Sequence, residues 1–113
     1  MKYKEAYEKV IAGVRFEDLE ILSLANAYGS TVAHEQASRG WITEDPEILR
    51  LANNKGWTVA QIQAIKGWVT EDLEILALRN SYGQTVAVLQ LQYGWEPKTR
   101  EAKIYVLTER LKE

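Results

Sequence analysis

The sequence predicts an all-α protein: a short right-handed-type α-solenoid of about eight helices, three full helix-turn-helix repeats between two capping half-repeats. Three observations carry this prediction. The string Glu17-Asp18-Leu19-Glu20-Ile21-Leu22 returns as Glu44-Asp45-Pro46-Glu47-Ile48-Leu49 and as Glu71-Asp72-Leu73-Glu74-Ile75-Leu76, at a step of 27 residues. A second string keeps that step: Tyr28-Gly29-Ser30-Thr31-Val32-Ala33, Lys55-Gly56-Trp57-Thr58-Val59-Ala60 and Tyr82-Gly83-Gln84-Thr85-Val86-Ala87. With units set at 14–40, 41–67 and 68–94, 13 of the 27 positions are identical in all three, so the units are copies of one another. A fixed period of this size marks units too small to bury their own apolar face, which must stack to form a core.

Taken in order, residues 1–13 form an N-terminal cap. Tyr3, Tyr7, Val10 and Ile11 lie on one side of an amphipathic helix, and Gly13 sits one period before Gly40. Each full unit then holds two helices. The first begins at an aspartate: Asp45 can accept orphan backbone amides, and Pro46 tolerates the first helical position. Thr43 competes as the cap. Ile48, Leu49, Leu51 and Ala52 make one apolar stripe, and Gly56 offers the left-handed residue that closes a helix. The copies are expected to run from 18 to about 28 and from 72 to about 82. The second helix begins at Thr58, which with Gln61 forms a capping box, and ends at Gly67. Eight or nine residues fall short of the roughly 12 to 15 needed for a helix to stand alone in water, so packing must order it. Residues 95–113 form the C-terminal cap. Trp95 lies one period after Trp68, and Pro97 opens a last helix with Ile104, Leu107 and Leu111 as its stripe. Its other faces carry Lys98, Arg100, Lys103, Arg110 and Lys112. The whole chain, 1–113, reads as a single domain.

Composition narrows the function classes. The apolar fraction of 46% belongs to a folded protein. With no cysteine there is no disulfide, thiolate metal site or cysteine nucleophile, and a reducing compartment fits. No apolar run reaches the roughly 18 to 20 residues that cross a bilayer, and the N-terminus is no signal peptide; a cytoplasmic protein is expected. A net charge of −2 disfavours a nucleic-acid partner, for which basic surface supplies most of the affinity.

The segment Gly29-Ser30-Thr31-Val32-Ala33-His34-Glu35-Gln36-Ala37-Ser38-Arg39-Gly40 resembles the ankyrin repeat family. That family's unit carries Gly-x-Thr-Pro-Leu-His at the start of its first helix, small residues within it, and Gly before the next. Gly29, Thr31, His34, Ala37 and Gly40 fall in register, and Asn26 stands where the family often has Asp. Ile48, Leu49 and Leu51 look like the stripe of the second ankyrin helix. The likeness covers all three units in outline and is closest in the first. Two departures qualify it. Ankyrin units run to about 33 residues; here the shortfall lies mostly between Leu51 and Gly56, where the family builds its β-hairpin finger, and the loop between helices, Trp41 to Glu44, is longer. The resemblance implies a protein-binding scaffold that uses its helix face in place of fingers.

Repeated and varying positions divide scaffold from function. Ile21/Ile48/Ile75, Leu24/Leu51/Leu78 and Val32/Val59/Val86 are expected core. Gln36, Gln63 and Gln90 suggest a hydrogen-bonded ladder tying unit to unit, and Trp41, Trp68 and Trp95 wedges between helices. The varying columns share the outer side of the second helix: His34/Gln61/Val88, Glu35/Ile62/Leu89, Ser38/Ile65/Gln92 and Arg39/Lys66/Tyr93, with Ser30/Trp57/Gln84 in the turn before it. If they face solvent, Trp57, Ile62, Ile65, Leu89 and Tyr93 form an apolar, aromatic strip able to anchor another protein or peptide. The bland reading puts Ile62 and Leu89 in the core. The candidate partner-binding set is therefore His34, Glu35, Arg39, Trp57, Gln61, Ile62, Ile65, Lys66, Val88, Leu89, Gln92 and Tyr93.

A lone histidine and no cysteine leave no metal cluster and no nucleophilic triad. The paired acids recur at helix starts, where they cap, so no catalytic residue, cofactor or enzyme activity is expected. The expected function is a non-enzymatic protein-protein interaction module of adaptor or inhibitor type, with self-association open to it. Two alternatives remain. Ala25-x-x-x-Gly29 and Ala52-x-x-x-Gly56 before a short helix resemble helix-turn-helix units, which would read DNA through Gln61 and Gln63. Nine of the 16 acids lie in the three Glu-Asp-x-Glu motifs, which would suit an acidic, phosphate-mimicking inhibitor.

Overall fold

Side-chain capping decides where the helices of the three units begin. The computed structural model describes residues 1–111, with side chains through residue 109. Among these residues every regular element is helical, and there is no strand: α1 (Tyr3–Ile11), α2 (Leu19–Leu22), α3 (Val32–Ser38), α4 (Pro46–Leu49), α5 (Val59–Ile65), α6 (Leu73–Leu76), α7 (Val86–Gln92) and α8 (Arg100–Leu111). Asp18, Asp45 and Asp72 cap α2, α4 and α6, each accepting from the amide two residues on. Thr43 serves its competitor, its Oγ1 accepting the Asp45 amide at 3.1 Å. Thr31, Thr58 and Thr85 cap α3, α5 and α7, and the capping box of Thr58 with Gln61 forms as the sequence predicts.

The first helix of each unit is much shorter than its apolar stripe suggests. It makes one turn and stops at Leu22, Leu49 or Leu76, where 18 to about 28 and 72 to about 82 were expected. An asparagine ends it. Asn26 Oδ1 accepts the amides of Tyr28 at 2.9 Å and Ser30 at 3.1 Å, giving the backbone a non-helical alternative. Asn53 and Asn80 do the same one and two periods later. The chain folds back through isolated antiparallel bridges, Ala25 to Thr31, Ala52 to Thr58 and Arg79 to Thr85, before the next helix.

The longer helices lie side by side: α3 packs against α1 and α5, and α5 against α7, while α2, α4 and α6 each pack on the helix that follows. The seams carry small or β-branched residues, Ala6 and Val10, Val32 and Ala33, Val59 and Ala60, Val86 and Ala87, all buried. Small side chains let the backbones approach closely, which orders helices too short to persist alone. Ile75 and Leu76, at 2% and 0% exposure, each contribute about 1.5–3 kcal/mol by burial.

The terminal helices depart from their predicted faces. In α1 Val10 is buried and Tyr3 and Tyr7 are half-buried, but Ile11 is exposed and Ala6 takes its place in the core. α8 starts three residues after Pro97, and its buried positions are Ala102 and Val106, with Tyr105 beside them. Ile104 and Leu107, expected to face inward, are exposed at 51% and 59%. Ala102 stands one period after Ile75 and is buried as Ile75 is. Lys112 and the side chains of Arg110 and Leu111 lie outside the described residues.

Candidate protein-binding surface

The bridged turns 25–31, 52–58 and 79–85 stack on one another through backbone. Asn54 N donates to Tyr28 O at 3.0 Å and Ser81 N to Lys55 O at 2.9 Å, while Asn54 Nδ2 reaches Ala27 O at 3.3 Å. This approach demands glycine. Gly29 and Gly56 both have φ of +75°, and a Cβ on Gly56 would lie 3.0 Å from Ser81 N and 3.1 Å from Asn80 Cα. A Cβ on Gly29 would meet the Asn54 amide nitrogen at 2.9 Å. Each stacked turn presents one side chain at its tip: Tyr28, Lys55 and Tyr82. Tyr28 is 78% exposed and Tyr82 64%. The row was legible as a repeating column; the expected long helix hid it, since it placed both tyrosines at a helix end.

The varying columns of the second helix do something else. His34 Nε2–H donates to Trp57 O at 2.8 Å, while Nδ1 accepts the Thr31 amide at 3.1 Å and lies 2.7 Å from its hydroxyl. Burial holds this imidazole below its ordinary pKa, partly offset by the bond to the Trp57 carbonyl. Gln61 repeats the arrangement in the next unit: Oε1 accepts Thr58 N at 2.9 Å and Nε2 donates to Gln84 O at 2.8 Å. Thus in units one and two the column that changes from unit to unit ties the second helix to the following turn. The constant glutamines act within a unit: Gln36 brackets the backbone of Phe16, Gln63 that of Thr43 and Gln90 that of Thr70, each accepting an amide and donating to the same residue's carbonyl. These side chains do not form the unit-to-unit ladder expected of them: each closes the loop at the start of its own unit.

Three candidate contact residues are accordingly buried: His34 at 1%, Gln61 at 0% and Leu89 at 3% exposure. A helix with neighbours on both sides has little free circumference, and these positions face the next unit or the core. Trp57, Ile62, Ile65, Val88 and Glu35 are half-buried, and Arg39, Lys66, Gln92 and Tyr93 are exposed. Glu35 pairs with Arg39 at 3.3 Å. The expected strip of Trp57, Ile62, Ile65, Leu89 and Tyr93 is therefore interrupted; what reaches solvent is the C-terminal end of each second helix. Gln61 and Gln63, the residues a helix-turn-helix would turn to base edges, are both committed inside the protein.

The acidic motifs are engaged in structure as well. Trp68 and Trp95 are core as expected, both 7% exposed, and donate from Nε1 to Glu44 at 2.9 Å and Glu71 at 2.8 Å in the preceding unit. Trp41 is half-buried. Glu71 also accepts the amides of Lys98 and Thr99 ahead of α8. Burial alone would raise its pKa, yet these bonds together hold it below the usual value. Among the described residues no three His, Cys, Asp or Glu side chains group as a metal site needs, and no helix is long and apolar enough to cross a membrane. Comparison with protein-family models, with curated proteins and with solved structures returned no match to this chain.

Proposed function

We propose that this chain is a small ankyrin-like α-solenoid that works as a non-enzymatic protein-protein interaction module, its contact surface running along the stacked turn tips. The solenoid reading is supported by the side-by-side order of α1, α3, α5 and α7, by inter-unit bonds at matching positions, and by overall dimensions of 45 × 24 × 20 Å. The observation that carries the function is the exposure of Tyr28 and Tyr82 at equivalent tips whose backbones are locked to their neighbours. Aromatic side chains on a rigid backbone lose little freedom on binding, which makes them effective anchors. The tips occupy the place where ankyrin units carry fingers, so a short bridged turn stands in for the hairpin. The non-enzymatic reading rests on the sole histidine and the buried glutamines being spent on helix and turn bonds. Cysteine-free composition suits the expected cytoplasmic setting.

The test is affinity capture from extract of the cells that make the protein, compared quantitatively between wild type and a Tyr28→Ala, Tyr82→Ala double variant. Specific partners should be lost from the variant and kept by a Lys4→Ala control. Equal capture by all three forms would remove the turn tips from the proposal.

A further inference from the structure

The three tryptophans that open units two and three and the C-terminal cap do not sit alike. Trp68 reaches back to Glu44 and Trp95 to Glu71, and both rings are 7% exposed. Trp41 stands one period before Trp68, and Glu17 one period before Glu44, yet no hydrogen bond joins them and Trp41 is half-buried. The loop at the start of the unit differs as well. Thr43 and Thr70 turn a hydroxyl to the amides of Asp45 and Asp72, whereas the equivalent residue of unit one is Phe16.

A cleft of about 290 Å³ lies at this junction, between units one and two. Its floor is apolar: Leu22, Ala33, Ile48 and Val59 line it, all at 6% exposure or less. Phe16 and Trp41 stand in its walls, with the buried carboxamides of Gln36 and Gln63. Each carboxamide spends one N–H and one lone pair on backbone, which leaves one of each for a further partner. The exposed rim carries Arg15, Glu17 and Asp45. The Arg15 guanidinium is already held, its Nη2 donating to Ile42 O at 2.6 Å. Glu17 lacks the indole that Glu44 and Glu71 hold. Two carboxylates against one guanidinium leave the rim negative above an apolar interior. Small-molecule sites are built this way, and the volume lies at the lower end of their range of about 300–1,000 Å³.

We propose that this cleft binds a free small amine with an aromatic or aliphatic body. The body fills the space beside Leu22, Ala33, Ile48 and Val59, and the ammonium lies at the rim, where Glu17 and Asp45 meet its charge. An anion of the same shape would set like charge against both carboxylates. No lining residue belongs to the turns at 25–31 and 52–58, so the site is separate from the turn tips.

The probe is tryptamine, titrated into ¹⁵N-labelled full-length protein to about 10 mM, the range suited to so small a ligand. The indole N–H resonances report on it, with those of Trp68 and Trp95 as internal controls. Saturable shifts should appear at Trp41 Nε1 and at the amides of Phe16 and Thr43, and not at the two controls. Indole-3-propionate, which carries a carboxylate on the same ring, should bind about tenfold more weakly. Glu17→Gln alters an exposed side chain without a hydrogen bond, so it should fold normally and weaken tryptamine about fivefold. The Tyr28→Ala, Tyr82→Ala variant should bind as the wild type does. Absence of saturable shifts at Trp41, equal binding of the acid, or unchanged affinity in Glu17→Gln overturns the proposal. So does tighter binding of a blocked Lys-Trp-Lys peptide, since the occupant is then a side chain of a protein.

Discussion

Replacing His34 with alanine removes, in one step, the ring that joins units one and two. The Thr31 amide, on a residue 5% exposed, loses its acceptor, and an orphaned buried N–H costs about 2 kcal/mol. The 2.8 Å bond to the Trp57 carbonyl is worth about 1 kcal/mol, and the void left by the ring about 1 more. The total, about 4 kcal/mol, is a large part of the roughly 5–15 kcal/mol that holds a domain together. His34→Gln should lose no more than about 1 kcal/mol, because Gln61 already makes both bonds at the equivalent place in unit two. Urea unfolding followed by circular dichroism at pH 7.5 measures both. The same pair tests protonation. The unfolded chain binds a proton at the ordinary histidine pKa of 6.5, whereas the buried folded ring resists it. The stability owed to the neutral ring is therefore complete above about pH 6.5 and declines as pH falls toward the lower folded value. That decline should vanish in His34→Gln. Equal losses in the two variants, or an unchanged pH slope in the glutamine form, would refute the bridging role.

Gly56→Ala and Gly83→Ala share a positive φ, +75° and +78°, and so share a conformational penalty of about 1–2 kcal/mol. Only Gly56 is pressed against Asn80 and Ser81, so its variant should melt lower by a further 5–10 °C or so, read by differential scanning calorimetry. Glu71→Ala removes the acceptor shared by the Lys98 and Thr99 amides and the Trp95 indole. A loss of about 2 kcal/mol is expected in chemical denaturation, with a fall in helical circular dichroism as α8 frays. The Tyr28→Ala, Tyr82→Ala variant should keep its melting temperature within about 2 °C, since both rings are mostly in solvent; a larger drop would mark them as structural.

Much of the helix plan was readable because caps are local. Asp45-Pro46 and Thr58-x-x-Gln61 name the residues that take orphan amides, and both starts fall where those residues stand. The failure of the first helix beyond one turn was harder to see. Ile48, Leu49, Leu51 and Ala52 keep helical spacing, but Asn53 three bonds away offers a competing turn, and spacing alone does not weigh the two. The α8 stripe failed for a related reason: Ile104 and Leu107 are the larger apolar residues, yet the shorter side chains Ala102 and Val106 are the buried ones.

His34, Gln61 and Leu89 are buried although their columns vary, and Leu89 thus follows the core reading, so variation between units does not by itself mark exposure. His34 and Gln61 differ in residue type yet make the same pair of bonds one period apart. His34 meets the turn at Trp57, Gln61 the turn at Gln84, and Val88 the end of the row. The repeat length, the all-helical class, the capping residues and the glycine positions followed from the order of amino acids, since each depends on interactions within a few residues. Which face of each helix meets water, which glutamine joins units and which closes one, and the outward display of Tyr28 and Tyr82 were decided only when the units stacked. Those outcomes depend on burial and on hydrogen bonds between residues 17 to 27 positions apart, whose geometry no local pattern contains.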